Sequence, residues 1–323
     1  MNGPDRLPAG SPSKIFCPFP AEIHPNGSAI ESDLLAWAEQ HRLVAGAGPK
    51  DRFTSARFGS CAALTYPRAS DLSVPAKWVV WLFMLDDQFD ENILSGGEEE
   101  ARRIVSEICH TLEEWAADSP RKNGSASPFL TSLRDILEGI DDLSVPALWK
   151  LRFATHTRSY AMTYCSDAAN SRNSGPLDLA SYRSFRRNSG AVKTCIDLIE
   201  ASNRIRLSKH HEGNRRIFDL QEAANDIICW TNDVFSLRKE LMHGEMNNIV
   251  AVLRSEGCET WKQAMNRTLE MIEQRTHDLI AAKSDLLRPH ATRGDLLNYI
   301  SGIENWISGS LRWHQESSRY RPT

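Results

Sequence analysis

"WVVWLFMLDDQFDE", residues 78–91, joins the most apolar run of the chain to a cluster of acids. Trp78 to Leu85 are all apolar, and three aspartates and a glutamate follow at once. Acidic side chains normally lie in polar surroundings at a protein surface. Carboxylates that directly follow an apolar wall therefore predict a cavity with a charged mouth.

Helical periodicity extends through most of the remaining chain. Between Leu177 and Arg288 there is no proline and there are only four glycines, which favours helix. Apolar residues recur there at intervals of three and four, as they do in the window 296–313, and no alternating strand pattern is found. We therefore predict an all-α fold, in which residues 1–15 are a flexible lead-in and residues 16–323 form one domain.

Composition argues against several classes of protein. The 38 basic and 42 acidic residues give a net charge of −4, without the basic surface that nucleic acids require. No apolar run approaches the roughly 18 residues of a membrane span, and the first residues lack the apolar core of a signal peptide. Seven scattered cysteines without a CxxC pair argue against a disulfide framework or a zinc site. We expect a cytoplasmic protein.

The acid cluster has the spacing of a metal site. On a helix, Asp86 and Asp90 are one turn apart and share a face, whereas Asp87 is turned by about 100°. Two carboxylates one turn apart can hold the same hard cation, and oxygen ligands favour magnesium over zinc. Taken alone, the DDxxD pattern is also compatible with a solvated acidic helix end.

A second oxygen-rich pattern lies in "NDVFSLRKE", residues 232–240. Asn232, Ser236 and Glu240 follow one another at intervals of four and form one stripe on a helix. Their amide, hydroxyl and carboxylate oxygens suit a hard metal ion, and Lys239 beside them suits an anionic ligand. An exposed polar face is the alternative, although the neighbouring Phe235 argues against full exposure.

Two basic motifs complete the set. In "FRRNSG", Arg186 precedes Ser189 and Gly190; a glycine inside a helix costs about 1 kcal/mol relative to alanine but permits a backbone break that exposes a carbonyl. "SSRY" places Arg319 and Tyr320 near the end of the chain. Each motif alone is compatible with an ordinary surface charge. Together with the two oxygen-rich helices, they predict a trap for a diphosphate with a long hydrocarbon tail.

In their order along the chain, these four motifs resemble those of class I terpene synthases of the microbial single-domain type. The matching segments run from "FCPFP" at 16–20 to the C-terminus, so the resemblance covers nearly the whole chain. It implies a single-domain helical bundle around a deep apolar cavity. It also implies Mg²⁺-dependent ionisation and cyclisation of a linear prenyl diphosphate, with release of diphosphate.

The resemblance also assigns roles to individual residues. It implies three Mg²⁺ ions, with Asp87 pairing with Arg319 on closure. The metal ligands that it implies are Asp86, Asp87, Asp90, Asn232, Ser236 and Glu240. Arg186 corresponds to a diphosphate sensor, and Gly190 to an effector carbonyl. Ser189 corresponds to a linker that is often acidic or threonine in the family. The side chains expected to clamp the diphosphate are Arg186, Lys239, Arg319 and Tyr320.

Aromatic residues near these motifs are candidates for the cavity wall, because aromatic faces stabilise carbocations without attacking them. Phe83 lies one turn before Asp86. Tyr299, Trp306 and Trp313 repeat every seven residues on one stripe, for which core packing is the default. We predict that Phe83 and Trp313 contribute to the wall and to catalysis, and that Trp306 and Tyr299 belong to the core.

Farnesyl diphosphate (C15) is the favoured substrate and geranylgeranyl diphosphate (C20) the second. The preference rests on how often similar enzymes take C15, and on Phe83, Phe89 and Trp230 narrowing the upper cavity. Against it, small residues such as Ala191 and Cys195 leave room for a longer chain. No nucleic-acid partner or membrane span is expected, and a homodimer is compatible with the sequence.

Two other functions are compatible with an all-α chain of this kind. A chain-elongating prenyl diphosphate synthase needs a second DDxxD motif, and the only other aspartate pair, Asp141-Asp142, continues as "DDLSV". A non-catalytic helical lipid-binding or scaffold protein would show no dependence on magnesium.

Overall fold

The computed structural model describes residues 14–94, 97–119, 127–170, 175–207, 213–288 and 294–320, without the side chains of residues 90–94 and 167–170. Within these ranges the chain forms thirteen α-helices and no strand, so the predicted all-α class is confirmed. Most of the expected N-terminal lead-in lies outside the described residues. The helices are α1 (Ile30–Gln40), α2 (Ala47–Ala56), α3 (Phe58–Thr65), α4 (Ser73–Leu94), α5 (Glu98–Ala116), α6 (Pro128–Asp142), α7 (Ala147–Asn170), α8 (Leu179–Ser189), α9 (Val192–Ser202), α10 (Arg215–Met242), α11 (Ile249–Ser255), α12 (Trp261–Leu287) and α13 (Gly294–Glu316).

The proline-free stretch folds into α8 to α12, as its periodicity predicts. Two of the turns that separate these helices carry glycines with positive φ, Gly244 at 79° and Gly257 at 129°, a conformation that other residues rarely adopt. α10 packs against α8, α9, α11, α12 and α13, and its buried residues, both apolar and polar, accordingly occupy most of its circumference. Among the described helices, none combines the length and the apolar character that crossing a membrane requires.

An aromatic cluster holds the apolar half of α4 in place. The indoles of Trp78 and Trp81 stack with their ring centroids 5.1 Å apart, and Phe153 of α7 lies 4.9 Å from Trp78. Both tryptophans are fully buried. Burial of such large side chains stabilises the fold by a few kcal/mol each, about 1.5–3 by area. The buried half of α4 thereby fixes the position of the acids that follow it.

α13 lies unusually close to α3. A Cβ atom added to Gly309 would collide with the backbone carbonyl of Leu64, so only glycine permits this approach. Trp313, one turn further along α13, donates its indole hydrogen to the carbonyl oxygen of Ala56 at 3.0 Å. The close contact therefore sets the position of the last two turns of α13.

Candidate active site

A cavity of about 490 Å³ opens between the helices. Residues of α3, α4, α7, α8, α9, α10 and α13 line it, together with the segment 243–247 that follows α10. Charged groups gather at one end, near Asp86, Glu240 and Arg319. Val79 and Trp306 also line the cavity. Val79 lies two helical turns before Asp86 on α4, and Trp306 lies two turns before Trp313 on α13. The cavity therefore continues below the charged end as an apolar well.

Asp86 and Asp87 are two of the acidic residues of α4, and we call this pair the α4 acids. Arg319 donates to both carboxylate oxygens of Asp87 at 2.7 and 2.8 Å, and the Lys239 Nζ atom lies 3.5 Å from Asp87. Burial opposes ionisation of Asp87, but these two cations outweigh it and hold its pKa below the usual range. Arg319 also lies 3.6 Å from Asp86. The pairing of Asp87 with Arg319 is the one that the family resemblance implies.

Asp86 itself lines the cavity, whereas the side chain of Asp90 lies outside the described residues. The Tyr164 hydroxyl donates to Asp86 at 3.4 Å, and Tyr160 and Tyr164 join hydroxyls at 2.5 Å. Both tyrosines line the cavity. They come from α7, where the sequence carries no motif that would indicate their position. The metal-binding roles of Asp86, Asp87 and Asp90 remain predictions.

Asn232, Ser236 and Glu240, the α10 triad, line the cavity together. Among the described residues, the buried Ser236 Oγ atom has no hydrogen-bond partner. Burial, reinforced by Asp233, raises the pKa of Glu240 to about 7, although Arg186, the nearby Ser236 hydroxyl and Asn248 oppose the shift. Asn248 donates to the Glu240 Oε2 atom at 2.8 Å. An orphaned hydroxyl beside a carboxylate whose charge is disfavoured fits a hard divalent cation.

The kind of metal site follows from these donors. Within the described part of the chain, no three His, Cys, Asp or Glu residues come together as a metal-binding group. The α10 triad instead offers an amide, a hydroxyl and a carboxylate oxygen on one helix face, and oxygen ligands of this type suit Mg²⁺. The residues present therefore fit the magnesium site that the sequence predicts.

Arg186 is held by an acid that the sequence analysis did not single out. It donates to Asp233 at 2.9 Å and to the Asn232 Oδ1 atom at 2.8 Å. Asp233 is fully buried and also accepts hydrogen bonds from the Tyr182 hydroxyl and from the Ile249 amide. A buried carboxylate needs such partners, so Asp233 fixes the direction of the Arg186 guanidinium. Its position on α10, directly after Asn232 and off the triad face, is the signal that could have identified it.

The break between α8 and α9 differs from the expectation. The sequence attributes the break to the flexibility of Gly190, but Gly190 has an ordinary φ of −78°. Ala191, at φ 55°, adopts the left-handed conformation instead. Gly190 is needed for space, because an added Cβ atom would collide with the Sγ atom of Cys229. Ser189 and Gly190 line the cavity at this break.

Phe83 and Trp313 both line the cavity, with their ring centroids 5.1 Å apart. Phe58 of α3 stacks on Phe83 at 5.2 Å. The Arg319 guanidinium lies 4.8 Å from the centroid of Phe83, within cation–π range. The aromatic wall is thus continuous with the charged end of the cavity.

Trp306 and Tyr299 both belong to the buried core, as expected, but Trp306 also lines the cavity. Seven residues turn a helix by 700°, which returns Trp306 to the face of Trp313. Tyr299 is fully buried and accepts a hydrogen bond from Gln221 at 2.6 Å, so its assignment to the core is confirmed.

Phe89 and Trp230 do not belong to the described lining of the cavity, and the expectation that they narrow it is wrong. Phe89 stacks on Tyr164 with a centroid distance of 4.0 Å. Trp230 is buried beneath the Arg183 guanidinium, 5.4 Å away. Phe83 and Phe89 are six residues apart, which is about 240° around a helix, so only one of them can face the cavity.

His314, which no sequence motif indicated, also lines the cavity. Its Nε2 atom lies 3.0 Å from the amide nitrogen of Asn232. Burial lowers the pKa of His314 to about 4, and the nearby Arg319 and Arg186 act in the same direction, so its ring is neutral at physiological pH. Tyr320 also contacts Asn232, with its hydroxyl 2.9 Å from the same nitrogen.

Comparison with known proteins identifies the family of this chain. Residues 77–278 match the family described as terpene synthase family 2, C-terminal metal binding. The chain is 30% identical to "(+)-T-muurolol synthase ((2E,6E)-farnesyl diphosphate cyclizing)" of Roseiflexus castenholzii, over 96% of this chain and 94% of that protein. It is 31% identical to "4-epi-cubebol synthase ((2E,6E)-farnesyl diphosphate cyclizing)" of Streptosporangium roseum, over 98% and 93%.

Solved structures give the same result. The crystal structure of a-eudesmol synthase superposes with a TM-score of 0.82 at 25% identity, covering 95% of this chain and 100% of that chain. The fold is therefore that of the class I terpene synthases. This chain belongs to terpene synthase family 2, and the family resemblance of its sequence motifs is confirmed.

Proposed function

We propose that this enzyme ionises farnesyl diphosphate in a Mg²⁺-dependent reaction and cyclises the resulting cation to a sesquiterpene. One observation carries the proposal. The α4 acids and the α10 triad meet at the charged end of a single cavity, where Lys239 of α10 reaches to 3.5 Å from Asp87 of α4, and an aromatic well lies below them. This arrangement suits an anionic head and an apolar tail.

Asp86 on one side and the α10 triad on the other are the proposed metal ligands, with Asp87 and Asp90 as further candidates and three Mg²⁺ ions in all. When bound, Mg²⁺ neutralises the charge on diphosphate and so makes it a better leaving group. The orphaned Ser236 hydroxyl supports this assignment. Arg186, Lys239, Arg319 and Tyr320 are proposed to donate hydrogen bonds to the same diphosphate.

The protein's own groups then have distinct tasks. As the C–O bond breaks, its electron pair stays on the diphosphate, and fixed guanidinium and ammonium groups stabilise the growing negative charge. The allylic cation that remains lies against Phe83, Trp313 and Trp306, whose ring faces contribute roughly 0.5–2 kcal/mol each. Water must be kept out of the well. Ser189 and Gly190 are proposed to couple Arg186 to the reacting end of the substrate, since all three line the cavity at the α8–α9 break.

The proposed substrate length rests on the names of the relatives and on the depth of the apolar well. The names of both relatives specify farnesyl diphosphate cyclisation. Val79 and Trp306 line a well that descends about two turns below the charged end, which is roughly 10 Å at 1.5 Å per residue. A short well favours C15 over C20. Ala191 and Cys195, which also line it, are the residues that would admit the longer substrate.

Steady-state kinetics with both substrates test the proposal. With Mg²⁺ present, we expect a higher kcat/KM and cyclic products for farnesyl diphosphate, and no turnover of either substrate after chelation with EDTA. A clear preference for geranylgeranyl diphosphate, with polycyclic C20 and only linear C15 products, would overturn the proposal that farnesyl diphosphate is the substrate. Turnover that persists in EDTA would overturn the metal dependence.

We further propose a cytoplasmic homodimer in which residues 16–323 form the catalytic domain. All seven cysteines are unpaired, which suits a reducing compartment. On the outer face of α7, Leu148, Leu151 and Met162 are exposed and lie within about 60° of one another around the helix. This apolar strip is the surface on which we expect a second copy to pack. Light scattering gives the oligomeric state, and Leu151→Lys should convert a dimer to monomers.

A further inference from the structure

The orientation of the His314 ring defines which of its nitrogens carries a proton. Its Nδ1 atom lies 2.6 Å from the carbonyl oxygen of Ser310. A carbonyl oxygen can only accept, so Nδ1 carries the hydrogen, and in the neutral ring Nε2 then presents a lone pair. The ring is 6% exposed, and it packs against Tyr320 at 4.9 Å and against Phe235 at 5.3 Å. Its lone pair therefore has a fixed direction.

That lone pair faces the side-chain amide of Asn232 across 3.0 Å. Because Nε2 can only accept, the nitrogen end of the amide must point toward it. The oxygen end then points the other way, where it accepts from Arg186 at 2.8 Å. A flipped amide would set its oxygen against the histidine lone pair and its NH₂ group against the guanidinium donors.

Tyr320 cannot make this selection. Its hydroxyl lies 2.9 Å from the Asn232 nitrogen, but a hydroxyl can donate as well as accept and would serve either end of the amide. Arg186 favours the same orientation, but its guanidinium must turn to a diphosphate if it binds substrate as proposed. His314 is then the partner that keeps the amide oriented throughout.

We propose that His314 is a positioning residue that holds the Asn232 amide with its oxygen directed at the metal site. The inference rests on the proposed function, in which Asn232 Oδ1 binds Mg²⁺. Only that oxygen can ligate a hard cation, since the amide nitrogen has no available lone pair. Partners of this kind behind a metal ligand typically contribute about 10–100-fold to metal affinity or activity.

The test is direct binding of Mn²⁺ in the presence of inorganic diphosphate, followed by electron paramagnetic resonance. His314→Phe keeps a flat ring but removes the acceptor, and we expect it to weaken Mn²⁺ binding about 10-fold or more. His314→Gln restores an acceptor through its side-chain oxygen and should recover most of the affinity. Phe235→Leu is the matched control, because it removes ring packing against His314 and leaves Nε2 in place.

The outcomes separate the inference from the proposed function. Wild-type affinity in a folded His314→Phe variant, or an equal loss in Phe235→Leu, would overturn the positioning role. If His314→Phe does not fold, His314→Leu provides the same test. Failure of the wild-type protein to bind Mn²⁺ with diphosphate would instead overturn the proposed function. A loss in Glu240→Gln without a loss in His314→Phe would overturn the inference alone.

Discussion

The two oxygen-bearing helices that meet at the charged end of the cavity differ in how their charges are balanced. On α4, Asp87 is already paired with Arg319 at 2.7 and 2.8 Å. On α10, the Ser236 Oγ atom has no partner among the described residues, and burial raises the pKa of Glu240 to about 7. The α4 charge thus contributes to the fold as it stands, whereas the α10 triad keeps the Ser236 hydroxyl and an unfavourably buried Glu240 carboxylate for a ligand. Equivalent substitutions on the two helices should therefore have opposite consequences.

The largest effect is expected from Glu240→Gln. It should raise the Mg²⁺ requirement and lower kcat/KM about 100-fold or more, because a charged ligand that supports the departing diphosphate is lost. The unfolding temperature should stay the same or rise, since the amide removes a buried charge that burial disfavours. Steady-state kinetics over a Mg²⁺ series, with a thermal melt, measure both.

Glu245→Gln is the matched control for that substitution. Glu245 also lines the cavity but lies outside the α10 triad, so its loss should leave the Mg²⁺ requirement near that of the wild type. Wild-type turnover of a folded Glu240→Gln enzyme at limiting Mg²⁺ would contradict the assignment of the α10 triad as metal ligands.

Arg186→Ala and Arg319→Ala should each weaken the binding of inorganic diphosphate with Mg²⁺ by about 10–100-fold. A hydrogen bond to a charged group contributes about 1.5–3 kcal/mol. Calorimetric titration measures the loss. Arg187→Ala and Arg312→Ala are the controls, because these arginines pair with Asp226 and Glu316 instead. If both test variants bind diphosphate as tightly as the wild type, Arg186 and Arg319 do not contact the diphosphate and have only a structural role.

Asp87→Asn should lower the free energy of unfolding by about 1–2 kcal/mol. Removing one partner of a buried pair costs about 3–5 kcal/mol, and we discount this because the Asp87 side chain is 32% exposed whereas Arg319 is only 10% exposed. Urea denaturation measures the change. Asp86→Asn should cost less, since Arg319 approaches Asp86 only to 3.6 Å. Equal losses of unfolding free energy in the two variants would contradict the inference that Asp87, and not Asp86, is the main partner of Arg319.

The sequence predicts the two sides of the site better than the connections between them. Asp86 and the α10 triad follow from spacing along single helices, which local geometry determines. The grip of Asp233 on Arg186 joins α10 to α8, and the contact of His314 with Asn232 joins α13 to α10. Neither pair has a local pattern, because each depends on how separate helices pack. The all-α class was predictable because it depends on periodicity within single helices, whereas these contacts depend on how separate helices pack.

The wall shows the same limit at the level of single side chains. Trp306 lies on the Trp313 face, but periodicity alone cannot distinguish a face that lines a cavity from one that packs in a core. Ala191, and not Gly190, adopts the left-handed conformation at the backbone break that we expected Gly190 to permit. The space that Gly190 leaves for Cys229 exists only once α8 and α10 have packed.

The smallest effect on rate and the most specific effect on chemistry are expected from Phe83→Leu compared with Phe89→Leu. Both residues are phenylalanines of α4, but Phe83 lines the cavity and Phe89 stacks on Tyr164. Losing the Phe83 ring removes one cation–π contact of roughly 0.5–2 kcal/mol and leaves the diphosphate site intact. Diphosphate release should therefore fall only slightly, while the products shift toward acyclic hydrocarbons and alcohols in Phe83→Leu.

Phe89→Leu is the control and should keep the wild-type product profile, although its melting temperature should fall because a buried ring is lost. Gas chromatography of extracts, normalised to released diphosphate, makes the comparison, and identical profiles in the wild type and Phe83→Leu would show that the carbocation does not meet this wall.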